Sequence, residues 1–251
     1  MICRNVLQGQ KLKVANLNEI TVLVDRSETK LTEVAMNFWK AELNGPPHSH
    51  AGKEQVFYIT EGSGVVNVGS ESHPVKRGSL VYIPEGVVHQ SVADRSALTY
   101  FLFNAFLEPT KEGCANYAEH IEKVKVIRQQ QAATGKATAD PNLSKRVSTR
   151  NPRFIVEACG TTSATLVSHA ETEGCEVDRV CLDRAVIRIA QYEDREQTLF
   201  VLSGDGKMTI GHEKCELEPG TVVFVALNAP QSVEAGVGGL AYLSFSTFML
   251  V

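Results

Sequence analysis

The chain has 251 residues, of which 43% are hydrophobic and 22% are charged, and its net charge at pH 7 is −4. This composition is typical of a globular protein with two ordinary domains, and it excludes the basic surface that nucleic-acid binding favours. No apolar run approaches the ~20 residues that span a bilayer. The N-terminus lacks the apolar core of a signal peptide, and the six cysteines form no CxxC pair. We therefore expect a cytoplasmic protein with free thiols and no nucleic-acid or membrane partner.

Residues 10–106 have the pattern of short strands separated by turns. The turn signals are Asn44-Gly45, Glu61-Gly62-Ser63-Gly64 and Glu85-Gly86. Many short strands without intervening helices predict a closed barrel or jelly roll.

The pattern changes at Glu112, where apolar residues begin to recur at steps of three and four. This spacing predicts an amphipathic helix of about five turns that ends near Thr134, with Gly135 in the C′ position. Residues 136–152 contain two prolines and many small polar residues and are predicted to form a linker. Strands resume near Phe154.

Three histidines stand out from the strand pattern. His48 and His50 are two residues apart, so in a strand they point to the same face, and His89 follows a strand and turn that begin at Gly78. Three imidazoles and one amide or carboxylate oxygen form a ligand set for a divalent transition metal. The other histidines have no such setting and are predicted to be surface or structural residues: His73, His120, His169 and His212.

These residues occur in a pattern that resembles the two signature motifs of the cupin superfamily, G-x5-H-x-H-x(3,4)-E-x6-G and G-x5-P-x-G-x2-H-x3-N. The first motif matches at His48, His50 and Gly62, and the second at Gly78, Pro84, Gly86 and His89. Glu42 replaces the leading glycine of the first motif, and Ala93 replaces the final asparagine of the second. Counting back from Gly62 places Gln55 at the family's carboxylate position, with Glu54 as the alternative ligand.

The chain also repeats itself at a fixed offset, which is the mark of two copies of one domain. Gln55 recurs as Gln197 (197 − 55 = 142), and no gap is needed from Glu54 to Phe106. Glycines, aromatic residues and apolar runs share this offset: Gly62, Gly64, Gly69 and Gly78 recur as Gly204, Gly206, Gly211 and Gly220, and Tyr100, Phe103 and Phe106 recur as Tyr242, Phe245 and Phe248. The resemblance is therefore to a bicupin. It implies an all-β fold of two tandem double-stranded β-helix (jelly-roll) barrels, over residues 1–110 and 154–251, joined by a helix and linker over 111–153.

The second copy lacks the metal motif. At the same offset His48 maps to Ala190, His50 to Tyr192 and His89 to Gln231. An alanine, a tyrosine and two glutamines do not form a transition-metal site. We therefore expect one divalent metal per chain, Fe, Mn, Ni or Zn, bound in the N-terminal barrel.

The resemblance implies an enzyme that acts on a small polar metabolite, as a dioxygenase or as an isomerase or lyase of a keto-sugar or sugar acid. The acid–base residues considered for it are Tyr58, Lys40 and Glu54. The alternative is a non-catalytic, metal-containing protein that binds or senses a small molecule. Exposed strand edges and the predicted helix favour a homodimer.

Overall fold

The computed structural model of the protein describes residues 1–14, 18–134, 155–157 and 161–249. The chain divides into two compact units: residues 9–149 form the N-terminal unit, and residues 1–8 together with 150–251 form the C-terminal unit. The first strand, β1 (Ile2–Asn5), pairs antiparallel with a strand over Thr221–Val225. This grouping differs from the predicted domain boundaries, because the backbone partners of β1 lie near the other end of the chain.

The N-terminal unit consists of two facing sheets. The larger sheet has the order β2-β3-β4-β10-β5-β8 and the smaller one the order β7-β6-β9. The strands are β2 (Gln10–Val14), β3 (Asn18–Val24), β4 (Thr32–Trp39), β5 (Lys53–Glu61), β6 (Ser63–Val68), β7 (Glu71–Lys76), β8 (Leu80–Ile83), β9 (His89–Ala93) and β10 (Leu98–Phe106).

The core of this unit lies between the two sheets. Apolar side chains of the larger sheet, such as Ile59 and Leu98, pack in one buried cluster with side chains of the smaller sheet, such as Val66 and Val75. Burial of this apolar surface is the main force that holds the two sheets together.

The helix α1 (Tyr117–Thr134) follows the last strand of the N-terminal unit. It begins five residues later than the sequence pattern predicts, because Lys111, Glu112 and Gly113 have φ values of 49°, 60° and 66°, a left-handed conformation that no α-helix contains. The predicted C′ residue Gly135 and the linker over 136–152 lie outside the described residues. In the part of the chain that the structure describes, no helix is long and apolar enough to cross a membrane.

The C-terminal unit has the same plan with longer strands. Its sheet has the order β1-β17-β15-β18-β13-β12-β11, with β14 paired to β18 and β16 to β15. The strands are β11 (Ile155–Glu157), β12 (Thr161–Val167), β13 (Cys175–Leu182), β14 (Ile187–Ala190), β15 (Arg195–Ile210), β16 (Glu213–Leu217), β17 (Thr221–Val225) and β18 (Gln231–Phe248).

The strand register reproduces the sequence repeat. Gln55 pairs across strands with Ile83 and Asn104, and Gln197 pairs with Val225 and Ser246, so each partner is displaced by the same 142 residues. Gly62 and Gly204 also share their conformation, with φ of 81° and 84°. At each of them a Cβ atom would lie 1.7 Å or 2.1 Å from a backbone carbonyl oxygen, so both positions require glycine.

Candidate metal centre

The structure brings the three histidines of the N-terminal unit together. The backbone of His48 pairs with that of His89, through N–H to O distances of 3.0 and 2.8 Å, and His50 follows two residues later. The ring centroids are 4.3 to 5.5 Å apart, and one ring nitrogen of each histidine lies within 4.8 Å of the others. Three imidazole nitrogens at this separation can bind one metal ion.

The same nitrogen, Nδ1, of each of the three rings is hydrogen-bonded to an acceptor outside the cluster. The Nδ1 atom of His48 lies 3.0 Å from the carbonyl oxygen of Pro46. The Nδ1 atom of His50 lies 3.0 Å from Oε1 of Glu112, and that of His89 lies 3.2 Å from the carbonyl oxygen of Val87. Carbonyl and carboxylate oxygens only accept, so each Nδ1 carries the proton. Each Nε2 is therefore left as the nitrogen with a lone pair, which is the tautomer that metal binding requires.

The amide of Gln55 is oriented by a chain of buried polar groups. Arg26 and Glu33 form a fully buried ion pair, and the Glu33 carboxylate can only accept, so Asn104 presents its Nδ2 to Glu33 at 2.7 Å. The Oδ1 of Asn104 then accepts from Nε2 of Gln55 at 2.7 Å. This leaves the buried Oε1 of Gln55 without a hydrogen-bond partner in the described structure, and an orphaned buried oxygen is costly unless a ligand binds it.

Glu112 joins several basic groups at the rim of the cluster. Besides His50, its carboxylate contacts Lys53 Nζ at 3.0 Å, His120 Nδ1 at 3.3 Å and Arg26 Nη1 at 3.7 Å. Burial alone would raise the pKa of Glu112, but Lys53 and the hydrogen bond from His50 hold that pKa well below its usual range. The carboxylate is therefore ionised and fixes the ring of His50.

Burial shifts the pKa of the basic neighbours of Glu112, Lys53 and His120, downward. Burial lowers the pKa of the Lys53 ammonium despite the nearby Glu112 and Glu33 carboxylates. Burial, followed by the charge of Lys53, also lowers the pKa of His120 well below its usual value, so His120 is neutral. His50, Glu112 and His120 could also contact one ion, but the cationic Lys53 and Arg26 already occupy that carboxylate, so the group is better described as a hydrogen-bonding network around His50.

These residues line one small cavity of about 50 Å³. The three histidines, Gln55 and Lys53 form its polar part. The helix α1 contributes its N-terminal half, and the remaining wall includes aromatic and apolar side chains: Trp39, Phe57, Tyr100, Leu102, Tyr117, His120, Ile121 and Val124. The hydroxyl of Tyr100 accepts from Asn37 and Trp39, each at 3.0 Å, so its proton is directed to Ser91 at 3.1 Å.

The comparisons with known proteins agree with this architecture. Residues 34–103 match the family model of the cupin domain. Structures of oxalate decarboxylase from Bacillus subtilis superimpose on both units. The structure at pH 4.6 has a TM-score of 0.69 and 14% identity, and covers 98% of this chain and 75% of that one. A structure on the substrate binding mode of oxalate decarboxylase has a TM-score of 0.70 and 13% identity, and covers 100% of this chain and 78% of that one.

The chain has the bicupin fold. Identities of 13–14% establish the fold alone, so the activity of oxalate decarboxylase does not transfer with it. Two shorter matches are to uncharacterized proteins of Streptomyces coelicolor, 39% identical over 44 residues, and Methanocaldococcus jannaschii, 37% identical over 43 residues. The matches cover 18% and 17% of this chain, and this chain spans only 39% and 34% of the length of those two proteins.

The acid–base residues considered from the sequence do not line the cavity of the bicupin. Lys40 is exposed and Tyr58 is half-buried, and neither is among the lining residues. Glu54 is buried, but its carboxylate accepts a hydrogen bond from Tyr82, on the opposite side of β5 from Gln55. Of the two alternatives for the fourth ligand, only Gln55 lines the cavity.

The sequence interpretation missed Lys53, Glu112 and His120. Lys53 occupies a variable position of the first family motif and Glu112 lies outside both motifs. His120 is predicted to be a surface or structural residue, whereas only 8% of it is exposed and it lines the cavity. The helical spacing that includes His120 predicts an inward face, which was the one available signal.

The described residues of the second barrel form no comparable cluster. Ala190, Tyr192, Gln197 and Gln231 line a cavity at the corresponding position, and Gln231 Nε2 donates to Gln197 Oε1 at 2.6 Å. Among the described residues, groups of histidine, cysteine and carboxylate ligands at metal-binding distance occur in the N-terminal unit alone.

Proposed function

We propose that the bicupin is a metal-dependent enzyme that acts on a small, anionic metabolite in the N-terminal barrel. The observation that carries this proposal is the convergence of one ring nitrogen from each of three histidines, with the unpartnered Oε1 of Gln55 in the same cavity. His48, His50, His89 and Gln55 would hold the ion, and all four are neutral. This donor set suits Fe, Mn, Ni or Zn.

The charge of the site favours an anionic substrate. A divalent ion in this neutral ligand set keeps its full charge and supplies Lewis-acid polarisation of a bound oxygen. The surrounding charged residues carry two positive and two negative charges: Arg26, Lys53, Glu33 and Glu112. Their charges cancel, so they do not offset the charge of the ion. Lys53 lines the same cavity and can hold a substrate carboxylate by a charge-assisted hydrogen bond.

The size of the cavity favours a compact substrate. At roughly 10–15 Å³ per water-sized probe, a cavity of about 50 Å³ accommodates only a few non-hydrogen atoms. A short oxo acid or dicarboxylate fits this volume better than a sugar acid. The B. subtilis oxalate decarboxylase, which shares the fold, contains Mn(II) centers, so Mn(II) is the first metal to test.

The proposal is tested by loading the purified chain anaerobically with Mn(II) or Fe(II) and measuring carbon dioxide release, oxygen uptake and substrate loss for a panel of short oxo acids, dicarboxylates, diketones and keto-sugars. Oxygen uptake that depends on substrate would indicate a dioxygenase, and substrate conversion without oxygen uptake would indicate a lyase or isomerase. The His48→Ala/His50→Ala variant is the inactive control. If the metal-loaded wild type consumed none of these compounds, the result would contradict an enzymatic role.

A second candidate, a non-catalytic binding or sensing protein, is supported by one observation. Lys40, Tyr58 and Glu54 all lie outside the histidine cavity, which deprives the site of the acid–base residues considered from the sequence. This candidate predicts that the metal-loaded chain binds small carboxylates with one site per chain and leaves them unchanged.

We also propose that the bicupin is a cytoplasmic homodimer. The edge strand β14 exposes Ile187 by 57% and Ile189 by 80%, and an exposed apolar edge favours self-association. The cysteines of the described residues are free thiols, as expected in a reducing compartment. Light scattering coupled to size exclusion tests the dimer, which Ile187→Lys/Ile189→Lys should dissociate.

A further inference from the structure

The strands β1 and β16 of the C-terminal unit lie side by side, although their backbones pair with different strands. β1 is hydrogen-bonded to β17, and β16 is hydrogen-bonded to β15. The Met1 nitrogen lies 2.8 Å from Oε2 of Glu213 at the start of β16. Asn5 Nδ2, at the end of β1, lies 3.2 Å from Oε1 of Glu218, the residue after β16. Both ends of β1 are therefore held against the corresponding ends of β16.

A pair of thiols lies between these two contacts. Cys3 is in β1 and Cys215 is in β16, and their side chains are hydrogen-bonded to one another. Both are half-buried free thiols that pack against the apolar core of the C-terminal unit. Thiols in direct contact need only a small change in side-chain rotation to reach the S–S bond length of roughly 2 Å. Their partial exposure leaves them within reach of a small solute.

The thiol pair has no counterpart in the described part of the N-terminal unit. At the offset of the repeat, Cys215 maps to His73 (215 − 142 = 73), whose Nε2 lies 3.1 Å from Oε2 of Glu71. The counterpart of β17 is β8, which ends the order of its described sheet, so no described strand there corresponds to β1. The pair is therefore an addition to the common plan of the two barrels.

The two thiols differ in acidity, which gives them different roles in a reaction. The hydrogen bond from Cys215 lowers the pKa of Cys3, although burial opposes this shift. The same hydrogen bond, followed by burial, raises the pKa of Cys215. Because the thiolate is the nucleophilic form, Cys3 is the attacking residue of the pair and Cys215 is the resolving residue.

We propose that Cys3 and Cys215 are a redox pair, which a peroxide oxidises to a disulfide that ties β1 to β16. This site lies in the C-terminal unit, needs no metal and does not depend on the function proposed for the N-terminal barrel.

The oxidation proceeds in two balanced steps. The Cys3 thiolate attacks one oxygen of the peroxide, the O–O bond breaks, and Cys3 becomes a sulfenic acid as the other oxygen leaves as hydroxide or alkoxide. The sulfur of Cys215 then attacks the sulfenic sulfur, the S–S bond forms, and the Cys215 proton departs with the sulfenic hydroxyl as water. Two electrons pass from the two sulfur atoms to the peroxide. A dithiol such as dithiothreitol returns them and restores both thiols.

The disulfide would fix the first strand of the chain to its barrel. It closes a loop of 213 residues (215 − 3 + 1 = 213), and a crosslink across a long loop stabilises a fold by restricting the unfolded chain. It also keeps the edge of β17 covered, because β1 can no longer separate from it. Oxidation should therefore stabilise the C-terminal unit.

The test treats the reduced full chain with an equimolar amount of hydrogen peroxide and blocks the remaining thiols with iodoacetamide. Trypsin releases Cys3 in residues 1–4 and Cys215 in residues 215–251, so mass spectrometry identifies the crosslink as one joined pair of peptides. We expect this pair in the oxidised chain and its loss after dithiothreitol. Absence of the pair, or crosslinks among the other cysteines in its place, would overturn the proposal.

Variants assign the role of each thiol. Cys3→Ser and Cys215→Ser should both lack the crosslink, whereas Cys181→Ser, which replaces another half-buried thiol of the same unit, should retain it. In Cys215→Ser the sulfenic acid should accumulate on Cys3, where dimedone traps it. Dimedone labelling of Cys215 in Cys3→Ser, without labelling of Cys3 in Cys215→Ser, would contradict the assignment of Cys3 as the attacking residue.

Thermal unfolding tests whether the disulfide ties β1 to the barrel. Oxidation should raise the unfolding temperature of the wild type and of Cys181→Ser by at least about 4 °C, and dithiothreitol should reverse this rise. The unfolding temperature of Cys3→Ser should not respond to either reagent. A crosslink that forms without changing the unfolding temperature would contradict the stabilising role of the disulfide.

Discussion

At the scale of single residues, the candidate metal centre is held in place by side chains that are not among the proposed ligands. Glu112 holds Nδ1 of His50, and Glu33 acts through Asn104 to turn the oxygen of Gln55 toward the cavity. Such outer contacts fix the tautomer and orientation of the ligands, and their removal typically lowers metal affinity 10- to 100-fold.

The first prediction concerns Glu112. The Glu112→Gln variant replaces the ionised carboxylate that accepts hydrogen bonds from His50 and Lys53 by a neutral amide. We therefore expect Mn(II) or Zn(II) to bind roughly 10- to 100-fold more weakly. Competition with a chromophoric chelator measures this affinity. Glu122→Gln, on the exposed surface of α1, is the matched control, and equal affinities for the two variants would show that Glu112 does not support the site.

The second prediction concerns Asp178. Burial foremost raises its pKa, helped by Glu176 and opposed by Thr165, Arg188 and Arg195. Because the pKa of this carboxyl group is higher in the folded protein than the value of about 3.9 in the unfolded chain, the free energy of unfolding falls as pH rises through the folded pKa. Below the unfolded pKa the group is protonated in both states and this loss is absent. Asp178→Asn should therefore unfold at a higher temperature than the wild type at pH 7, and this gain should disappear below about pH 4.

Thermal unfolding of the wild type and Asp178→Asn across this pH range tests the second prediction, with Asp183→Asn as the exposed control. A difference in unfolding temperature that does not change with pH would mean that the ionisation of Asp178 costs the fold nothing.

At the scale of elements, α1 is the part of the N-terminal unit that closes the histidine cavity. Tyr117, His120, Ile121 and Val124 of this helix line the cavity, and Ile121 is 4% exposed. The side chain of Val126 lies on the same helix and is 54% exposed. The helix is thus held by the burial of one face.

The third prediction compares these two positions. Ile121→Ala removes buried methyl groups and should lower the free energy of unfolding by about 2–5 kcal/mol, whereas Val126→Ala should change it by less than about 0.5 kcal/mol. Urea denaturation of both variants provides the values. Similar small effects would indicate that α1 does not pack on the barrel in solution.

The first strand of the chain is the second element with a testable role. The N-terminal ammonium of Met1 lies 2.8 Å from Glu213, β1 pairs with β17 along four residues, and Met1 and Cys3 pack against the core of the C-terminal unit.

The fourth prediction is that deletion of residues 1–8 destabilises the C-terminal unit, because it exposes the edge of β17 and part of the core. Limited proteolysis with mass spectrometry should show earlier cleavage within residues 161–249 in the truncated chain. Leu7→Ala, which changes a side chain that is 82% exposed, should be cleaved like the wild type. An unchanged cleavage pattern after truncation would mean that β1 adds nothing to this unit.

At the scale of the whole molecule, the sequence predicted what local pattern and repetition encode. The glycines at Gly62 and Gly204 occupy equivalent turns that admit no side chain, so their spacing predicted two copies of one barrel, and the fold confirms it. The histidine motif likewise predicted which side chains converge. Glu112 and β1 could not be found in this way, since the first acts through a left-handed turn and the second through a strand partner near the far end of the chain.

The two barrels have one plan and different interiors. The first concentrates three neutral imidazoles and an oriented amide in a small cavity, and the second replaces them with an amide pair, an acid and a base in a larger one. We propose that metal chemistry belongs to the first barrel alone.

The most direct test of this claim is the metal content of the purified chain, measured by mass spectrometry after saturation with Mn(II) and removal of the excess. We predict about one ion per chain in the wild type and in Gln231→Ala, and almost none in His48→Ala/His50→Ala. Retention of stoichiometric metal by the double histidine variant, or its loss from Gln231→Ala, would contradict the account.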